Sequence, residues 1–265
     1  MIKITVSNQR GGVGKTMTAL TLARCLADLD KRVLLIDTDS QGSIWMALRL
    51  EPEFWLHHLV NEQMALSRVV VKAHDRIDVI CSDRRTMRVE GTLSAAIGKE
   101  MTFYELLRVA EDTYDAVLID VSPSISNLQS CAMAYTQNVL IPVSMDSLAV
   151  EGAMASLTSI EMLNKFLKLG CRCAWFLPTQ VDQRTSATEV VVRALREHSE
   201  HSGIPIIHSI RTDQAVNKAL RNHAFLQDWD PKSKALEDYR QACTELLTIL
   251  SGEGIHAREQ QAAVL

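Results

Sequence analysis

The chain has 265 residues, of which 47% are hydrophobic, so it is long enough for one or two domains with a large buried core. Its 28 basic residues are outnumbered by 32 acidic ones, and the formal net charge of −4 excludes a basic field over the whole surface. The six cysteines form no C-x-x-C pair, which indicates reduced thiols rather than disulfides or zinc. No apolar run approaches the length of about 18 residues that a membrane-spanning helix needs, and we expect a cytoplasmic protein without a membrane partner.

Short apolar runs, which are typical of buried parallel strands, alternate with helical patterns along the chain. The runs predict strands at residues 2–7, 32–37, 77–82, 115–120, 138–143, 171–178 and 205–210. Helices are predicted at residues 15–29, 44–72 in pieces, 92–111, 125–136, 147–168, 186–202, 213–223 and 233–250. The alternation predicts an α/β fold, with one mostly parallel, twisted sheet of about seven strands and helices on both faces. We expect a single domain over residues 1–251 and a flexible tail over 252–265.

The segment "NQRGGVGKTM" (8–17) lies between the first predicted strand and the first predicted helix. Gly14, Lys15 and Thr16 match the G-K-[ST] ending of a phosphate-binding loop, in which the lysine reaches the β/γ-phosphates and the hydroxyl binds Mg²⁺. The free N–H groups at the helix start add to such an anion site. Further predicted nucleotide contacts are Gly11, Gly12, Val13 and Met17. The loop is a variant because Gln9 occupies the place of the usual first glycine, and the absence of G-x-G-x-x-G excludes a dinucleotide loop.

Aspartates follow the second and fourth predicted strands, and the carboxyl ends of such strands are where ligands bind. Asp37 and Asp120 lie at the strand tips, and Asp39 follows two residues after Asp37. A nucleotide-bound Mg²⁺ keeps several waters and takes one or two carboxylates, so Asp37 and Asp120 join Thr16 as predicted metal residues. Asp39 is predicted to position or activate the attacking water. A helix cap or a turn is the other interpretation of a strand-end aspartate.

Six blocks of the chain, in this order, resemble the ParA/MinD family of deviant Walker A ATPases, nearest to its ParA side: "QRGGVGKT", "VLLIDTDSQGS", "YDAVLIDVSPSIS", "NVLIPVSMDSLAVEG", "PTQVDQRTS" and "WDPKSKALEDYRQACTELL". The resemblance covers nearly the whole chain. It implies an ATPase that uses ATP and Mg²⁺, forms a homodimer around two nucleotides and binds DNA non-specifically in its ATP form. Slow hydrolysis would be stimulated by a partner, either a ParB-like protein or a cargo adaptor.

The same resemblance implies a role in plasmid or chromosome partition, or in positioning large cargo, and a nucleoid-associated location. It also adds Thr179, Arg211 and Asp213 to the expected nucleotide contacts.

The chain departs from the family pattern at the loop. The family signature K-G-G-x-G-K-T begins with a lysine that reaches the partner's phosphates across the dimer, and Arg10 occupies that position. Arginine keeps the charge and adds a planar fork, so Arg10 joins Lys15 and Asp39 as a predicted catalytic residue, either as a trans arginine finger or as a residue that holds a slow dimer. Met17 replaces the second threonine of the family, and Ser122 replaces the first proline of its D-x-P-P motif.

The expected DNA face departs from the family as well. "IRTDQA" (210–215) replaces I-P-R-N-V-R, which removes a proline and two arginines that are associated with DNA binding. Arg193, Arg196, Lys218 and Arg221, with Arg211 nearby in sequence, could supply a local basic patch, and the first four are the predicted DNA contacts. A solvated helix face is the other interpretation of these charges.

Three alternatives for the function stay open. "TQVD" (179–182) resembles the T-K-x-D guanine clamp of GTPases with Gln180 at the lysine, which allows GTP instead of ATP. Arg10 and Met17 favour a nucleotide-locked scaffold or regulator that binds ATP and barely hydrolyses it. A MinD-like regulator of the division site is the third.

Overall fold

A seven-stranded sheet runs through the residues that this computed structural model describes, which are 1–168 and 170–252. The strands are β1 (Ile2–Val6), β2 (Val33–Asp37), β3 (Val70–His74), β4 (Ile77–Ile80), β5 (Ala116–Asp120), β6 (Asn138–Ser144) and β7 (Arg172–Thr179). The α-helices are α1 (Lys15–Asp28), α2 (Ser43–Leu48), α3 (Leu56–Asn61), α4 (Leu66–Val69), α5 (Met87–Ala95), α6 (Thr102–Leu106), α7 (Ala110–Thr113), α8 (Asn127–Thr136), α9 (Ser147–Leu167), α10 (Ser186–Ser202), α11 (Gln214–Arg221), α12 (Leu226–Trp229) and α13 (Lys234–Leu250). None of these described helices is long and apolar enough to cross a membrane.

The strands follow the spatial order β3-β4-β2-β5-β1-β6-β7, and all neighbours are parallel except β3 and β4. The predicted α/β architecture, with a mostly parallel sheet between two layers of helices, is therefore confirmed. Asp120 at the end of β5 is in register with Val6 at the end of β1 and with Asp37 at the end of β2. The carboxyl ends of these three strands therefore meet at one edge of the sheet, where the loop that precedes α1 also lies.

Different helices cover the two faces of the sheet. On β6, Leu140 packs on the face that carries α1, α11 and α13, whereas Val139 and Ile141 pack on the face that carries α9 and α10. All five residues of β2 are buried, which explains why this strand has a continuous apolar run in the sequence. Burial of each leucine or isoleucine in these layers contributes about 1.5–3 kcal/mol, so the central strands hold the sheet edge firmly in place.

The strand predicted at residues 205–210 is wrong. This segment runs beside β7 and forms isolated bridges, Phe176 with Ile206 and Val181 with Arg211. Pro178 of β7 lies between the two bridges and has no N–H group to donate. A continuous ladder therefore cannot form along this edge.

The sheet still has seven strands, because it contains β3 (Val70–His74), which was not predicted. This strand begins within the segment where the sequence predicts helices (44–72). It pairs antiparallel with β4 through a two-residue turn at 75–76. Val69, Val70 and Val71 are β-branched, and such residues favour strands over helices. The helix predicted at 92–111 is also wrong in its extent, because α5 ends at Ala95 and Gly98 adopts a φ of 68° before the chain resumes as α6.

The predicted domain limits stay a prediction. Beyond Gly252, the tail predicted at 252–265 lies outside the described residues.

Candidate functional site

The loop between β1 and α1 is anchored by the side chain of Asn8, which is fully buried. Asn8 Nδ2 donates hydrogen bonds to the carbonyls of Pro142 at 2.7 Å and Ala149 at 3.1 Å, and its Oδ1 accepts one from the N–H of Arg10 at 2.9 Å. Gly152 of α9 makes this anchoring possible, because a Cβ at that position would lie 2.9 Å from the Arg10 nitrogen and closer still to Asn8 Oδ1. The loop and α9 are therefore in direct backbone contact.

The glycines of the loop shape its backbone at two positions. Gly12 has a φ of 78° and Gly14 a φ of 86°, a region that residues with a Cβ rarely adopt. Gly14 is the N-cap of α1 and offers no side-chain cap, so the N–H groups of the first turn have no intrahelical partners. They are free to bind an anion at the positive end of the helix dipole.

Lys15 is buried at the base of this loop. Its Nζ donates a hydrogen bond to the carbonyl of Arg10 at 2.8 Å. Burial lowers the pKa of Lys15, and the charges of Asp120 and Asp39 oppose that shift. The ammonium therefore sits among the predicted catalytic and metal carboxylates, where it could also contact a bound phosphate.

Asp120 links the end of β5 to the start of α1. Its Oδ2 accepts a hydrogen bond from Thr16 Oγ1 at 2.6 Å, and its Oδ1 is buried with no hydrogen-bond partner among the described residues. Burial raises the pKa of Asp120 to about 7, although the Thr16 hydrogen bond and Lys15 oppose the shift. A hard cation, or a water on that cation, would supply the missing partner, so the donor set fits the predicted Mg²⁺.

Asp37 is the second buried carboxylate at this edge of the sheet. Its Oδ1 accepts from the N–H of Asp39 at 2.9 Å, and its Oδ2 accepts from the N–H of Ile44 at 3.0 Å. Burial, with the neighbouring Asp120 charge, raises the pKa of Asp37 well above its usual value. With both oxygens engaged by the backbone, Asp37 suits contact with a metal-bound water better than direct coordination.

Asp39 lies in the turn that leads to α2. Its Oδ1 accepts a hydrogen bond from the N–H of Gln41 at 2.9 Å. It lines a cavity of about 400 Å³ together with residues of the loop that follows β5, among them Ser122 and Ser124. Asp39 is therefore half-buried beside open space that a water molecule could occupy.

Two predicted site residues have different surroundings from those expected at the loop. The Met17 side chain belongs to the core, and its Sδ accepts a hydrogen bond from Thr21 Oγ1 at 3.1 Å. Only the Met17 backbone is thus left to contact a nucleotide. The Arg10 side chain is about half exposed, and its Nε lies 4.0 Å from Asp146 Oδ1.

Three predicted nucleotide residues at the far end of the sheet have structural partners. Thr179 Oγ1 donates to the carbonyl of Val13 at 2.9 Å, so this hydroxyl supports the loop from behind. Arg211 forms a two-point ion pair with the buried Asp238, through Nε at 2.7 Å and Nη2 at 2.6 Å.

Asp213 is the third of these residues, and its carboxylate caps two helices. Its Oδ1 accepts from the N–H of Ala215 at the start of α11, and its Oδ2 accepts from Ser233 Oγ at the start of α13. Burial acts to raise the pKa of Asp213, but these hydrogen bonds outweigh it and the pKa is lowered. Asp213 is therefore the N-cap of α11.

The four predicted DNA contacts lie on opposite faces of the sheet. Arg193 and Arg196 are on α10, whose buried side packs with α9, and they line a groove of about 690 Å³. Lys218 and Arg221 are exposed on α11, whose buried side packs with α1 and α13. Within one chain these arginines and lysines therefore form two separate pairs.

Three residues that hold the site are not among the contacts predicted from the sequence. Gly152 permits the contact between the loop and α9, and Gln180 Nε2 donates to the carbonyl of Gly12 at 2.7 Å. Glu90 accepts hydrogen bonds from the N–H groups of Asn127 at 2.9 Å and Leu128 at 3.0 Å. It thereby fixes the start of α8, the helix after the loop that follows β5. A glycine inside the strong helical pattern of α9 was the one signal that could have pointed to such a contact.

One cluster of metal-ligand types lies elsewhere in the described part of the chain. His57, His58 and Glu62 place potential ligand atoms within 4.8 Å of one another. His58 Nδ1 already accepts a hydrogen bond from the N–H of Trp55 at 3.0 Å. The lone pair of this nitrogen is therefore engaged within the chain.

A glycine loop between a strand and a helix, with a buried lysine and two strand-end aspartates, defines the class of P-loop nucleotide-binding α/β proteins. Residues 1–170 match the family model described as AAA domain. The chain is 31% identical to the chromosome-partitioning ATPase Soj of Thermus thermophilus, over 92% of this chain and 95% of that protein. It belongs to the ParA/MinD-type ATPases, as the resemblance of its motifs predicts.

Solved structures agree in fold. Nucleotide-free McdA of Cyanothece superimposes with a TM-score of 0.83 at 20% identity, covering 93% of this chain and 99% of that one. The cobyrinic acid a,c-diamide synthase of Mycobacterium smegmatis, with a bound ATP analogue and magnesium, gives a TM-score of 0.80 at 23% identity over 95% of this chain and 96% of that one.

Proposed function

We propose that this chain is a switch ATPase that binds ATP with Mg²⁺, dimerises around the two nucleotides and acts in the partition of DNA or the positioning of cargo. The observation that carries the proposal is the buried Lys15, which donates a hydrogen bond to the Arg10 carbonyl of the glycine loop and is followed by Thr16, the hydrogen-bond donor to Asp120. The Soj relative is a chromosome-partitioning ATPase, which supports the same role for this chain.

The proposed site assigns a task to each residue at the sheet edge. Lys15 and the N–H groups from Gly11 to Met17 bind the phosphates, while Thr16 and Asp120 hold Mg²⁺ and Asp37 orients one of its waters. When bound, Mg²⁺ neutralises charge on the phosphate oxygens. Asp39 accepts a hydrogen bond from the attacking water and aligns it with the γ-phosphate. A fold relative that is described with a bound ATP analogue and magnesium supports the use of these two ligands.

Dimerisation would bring Arg10 to the phosphates held by the second copy. The guanidinium is about half exposed, so it is free to leave Asp146 for a stronger, two-point contact with phosphate. In the ATP form the dimer binds DNA on the nucleoid without sequence preference, through Arg193 and Arg196, or through Lys218 and Arg221. A ParB-like protein or a cargo adaptor then stimulates slow hydrolysis and releases it.

A second candidate is a nucleotide-locked regulator that barely hydrolyses ATP. It is favoured by the core position of the Met17 side chain, which leaves no side-chain hydroxyl at a position where the family has a threonine. In this candidate Arg10 holds the dimer together and does not accelerate the reaction.

The first experiment measures mass by light scattering and phosphate release, with and without ATP, Mg²⁺ and double-stranded DNA. We expect ATP-dependent dimers and slow hydrolysis in the parent, and neither in Lys15→Ala. Lys31→Ala, at an exposed lysine beyond α1, is the matched control. A parent that stays monomeric and binds no ATP contradicts the proposal, whereas dimers without measurable hydrolysis favour the locked regulator.

A further inference from the structure

Two consecutive side chains at the end of β7 donate hydrogen bonds to the backbone of the glycine loop. Thr179 Oγ1 donates to the carbonyl of Val13 at 2.9 Å, and Gln180 Nε2 donates to the carbonyl of Gly12 at 2.7 Å. Two neighbouring donors therefore hold two neighbouring carbonyls. We call this pair of hydrogen bonds the loop strap.

The strap depends on an unusual backbone conformation. Successive side chains of an extended strand point to opposite sides of the sheet, so Thr179 and Gln180 would not both reach the loop from a regular strand. Gln180 has a φ of 55°, in the left-handed region that residues with a Cβ rarely adopt. This turn of the backbone breaks the alternation and brings both side chains to the loop.

A glycine would adopt that conformation without strain, yet the chain has a glutamine there. Strained backbone persists where its surroundings demand it, and such positions cluster at functional sites. The surroundings here are well defined, because Val181 donates its N–H to Ile210 and accepts from the N–H of Thr212, each at 3.0 Å. The strap is thus fixed at its far end to the segment that carries the Arg211–Asp238 ion pair.

The strap also determines where the loop N–H groups point. In a trans peptide the carbonyl of one residue and the N–H of the next point in opposite directions. Holding the carbonyls of Gly12 and Val13 toward β7 therefore turns the N–H groups of Val13 and Gly14 away from it. These N–H groups are among those that the proposed site assigns to the phosphates.

We infer that Gln180 is a positioning residue for nucleotide binding, which orients the Val13 N–H through its hydrogen bond to the Gly12 carbonyl. The inference rests on the proposed function for its effect on ATP. The strap itself does not, because it consists of hydrogen bonds within the chain and can be tested without nucleotide.

The test compares Gln180→Met, which keeps the length of the side chain and removes the donor, with Gln180→Lys, which restores a donor of similar reach. Gln63→Met is the matched control, because Gln63 is also an exposed glutamine with a left-handed φ of 51°, but it follows α3. Three quantities are measured: amide hydrogen exchange of residues 11–14 without nucleotide, ATP affinity by titration, and Tm.

We expect Gln180→Met to speed exchange in the loop and to weaken ATP binding about 3- to 10-fold, the effect of losing one hydrogen bond, at an unchanged Tm. Gln180→Lys should return both values to within about twofold of the parent, and Gln63→Met should change neither. Gln180→Gly gives a further check, because it removes backbone strain and the donor together. It should weaken ATP binding although Tm stays the same or rises.

Unchanged loop exchange and unchanged ATP affinity in Gln180→Met would overturn the inference. A loss of ATP affinity that follows a fall in Tm in all three Gln180 variants would overturn it as well, because that result means a purely structural role. If the parent binds no ATP, the proposed function fails, and loop exchange alone then decides whether Gln180 positions the loop.

Discussion

The Thr16 hydroxyl at the start of α1 donates a hydrogen bond to the carboxylate of Asp120 at the end of β5, with 2.6 Å between Oγ1 and Oδ2. The bond joins the helix that begins the nucleotide loop to a carboxylate that is fully buried and whose other oxygen has no partner among the described residues. Burial of this carboxylate therefore carries an electrostatic cost.

That cost predicts a pH dependence of stability. The pKa of Asp120 in the fold is raised to about 7, above its value in an unfolded chain, so the folded state holds the proton more tightly. The resulting stability is present at about pH 4 and is lost as the pH rises through about 7. Asp120→Asn should raise the unfolding free energy of the nucleotide-free protein at pH 8 by on the order of 2 kcal/mol and flatten its pH profile. Denaturant titrations between pH 5 and 8 check this, and a parallel profile for both proteins contradicts it.

Gly152→Ala should disrupt the loop from the helix side. Its Cβ would lie 2.9 Å from the Arg10 nitrogen, so the loop must move, and we expect a loss of about 1–3 kcal/mol in unfolding free energy together with weaker ATP binding. Gly91→Ala is the control, because Gly91 lies inside α5 with no described atom within 4 Å of the added Cβ. That variant should gain about 0.5–1 kcal/mol from helix propensity. Equal changes in unfolding free energy and in ATP affinity for the two variants would show that the close approach of Gly152 to the loop has no effect on either quantity.

Asp39→Ala should slow hydrolysis by about 10²–10⁴-fold, the usual contribution of a group that positions or activates the water. ATP and Mg²⁺ should stay bound, since Lys15, Thr16 and Asp120 are intact. Light scattering should then show accumulated ATP-bound dimers. Monomers in the presence of ATP, or hydrolysis at the parental rate, would exclude Asp39 from this role.

Arg10→Ala should spare ATP binding by the monomer and remove ATP-driven dimerisation, because the contact with the second copy is lost. Arg10→Lys separates the two proposed roles of the arginine. Faster hydrolysis means that the native arginine holds a slow dimer, and slower hydrolysis means that it acts as a finger. ATP-driven dimerisation of Arg10→Ala at the parental level would leave Arg10 with neither role.

DNA binding should depend on ATP and fall with salt, with a slope of about 0.9 for each neutralised phosphate. The two basic pairs lie on opposite faces, so they can be tested separately. Removing the pair that contacts DNA, either Arg193 with Arg196 or Lys218 with Arg221, should reduce the salt slope by about 2 for each protomer of the dimer that contacts the DNA, while removing the other pair leaves it unchanged. Binding that is independent of ATP or of salt contradicts the prediction.

The sequence was sufficient for six of the seven strands, all but β3, because buried strands have a periodicity distinct from that of amphipathic helices. It was also sufficient to bring Lys15, Thr16, Asp37 and Asp120 to one edge, since parallel strands align their carboxyl ends. The strand predicted at 205–210 did not form because of a residue in β7, not because of the segment's own sequence. The segment lies beside Pro178 of β7, and the sequence does not tell which strand lies next to this segment.

The partners of side chains at the far end of the sheet were also hard to predict, because they too depend on which elements lie side by side in the fold. Arg211 has an arginine's chemistry whether it binds phosphate or Asp238, and only the packing of α13 brings Asp238 to it. Gln180 is visible in the sequence only as part of the TQVD motif. Its contact with the loop could not be predicted, because a glutamine in the left-handed region is indistinguishable in sequence from one in a strand.

The anchoring of the loop has a consequence for synthesis on the ribosome. Residues 8–14 emerge early, but their partners lie in β6, in α9 and at the end of β7, long after them in the chain. Contacts so distant in sequence form late in folding. A nascent chain that has exposed only the glycine loop therefore lacks the framework that shapes it, and we expect a ribosome-bound fragment that ends before β7 to capture no nucleotide.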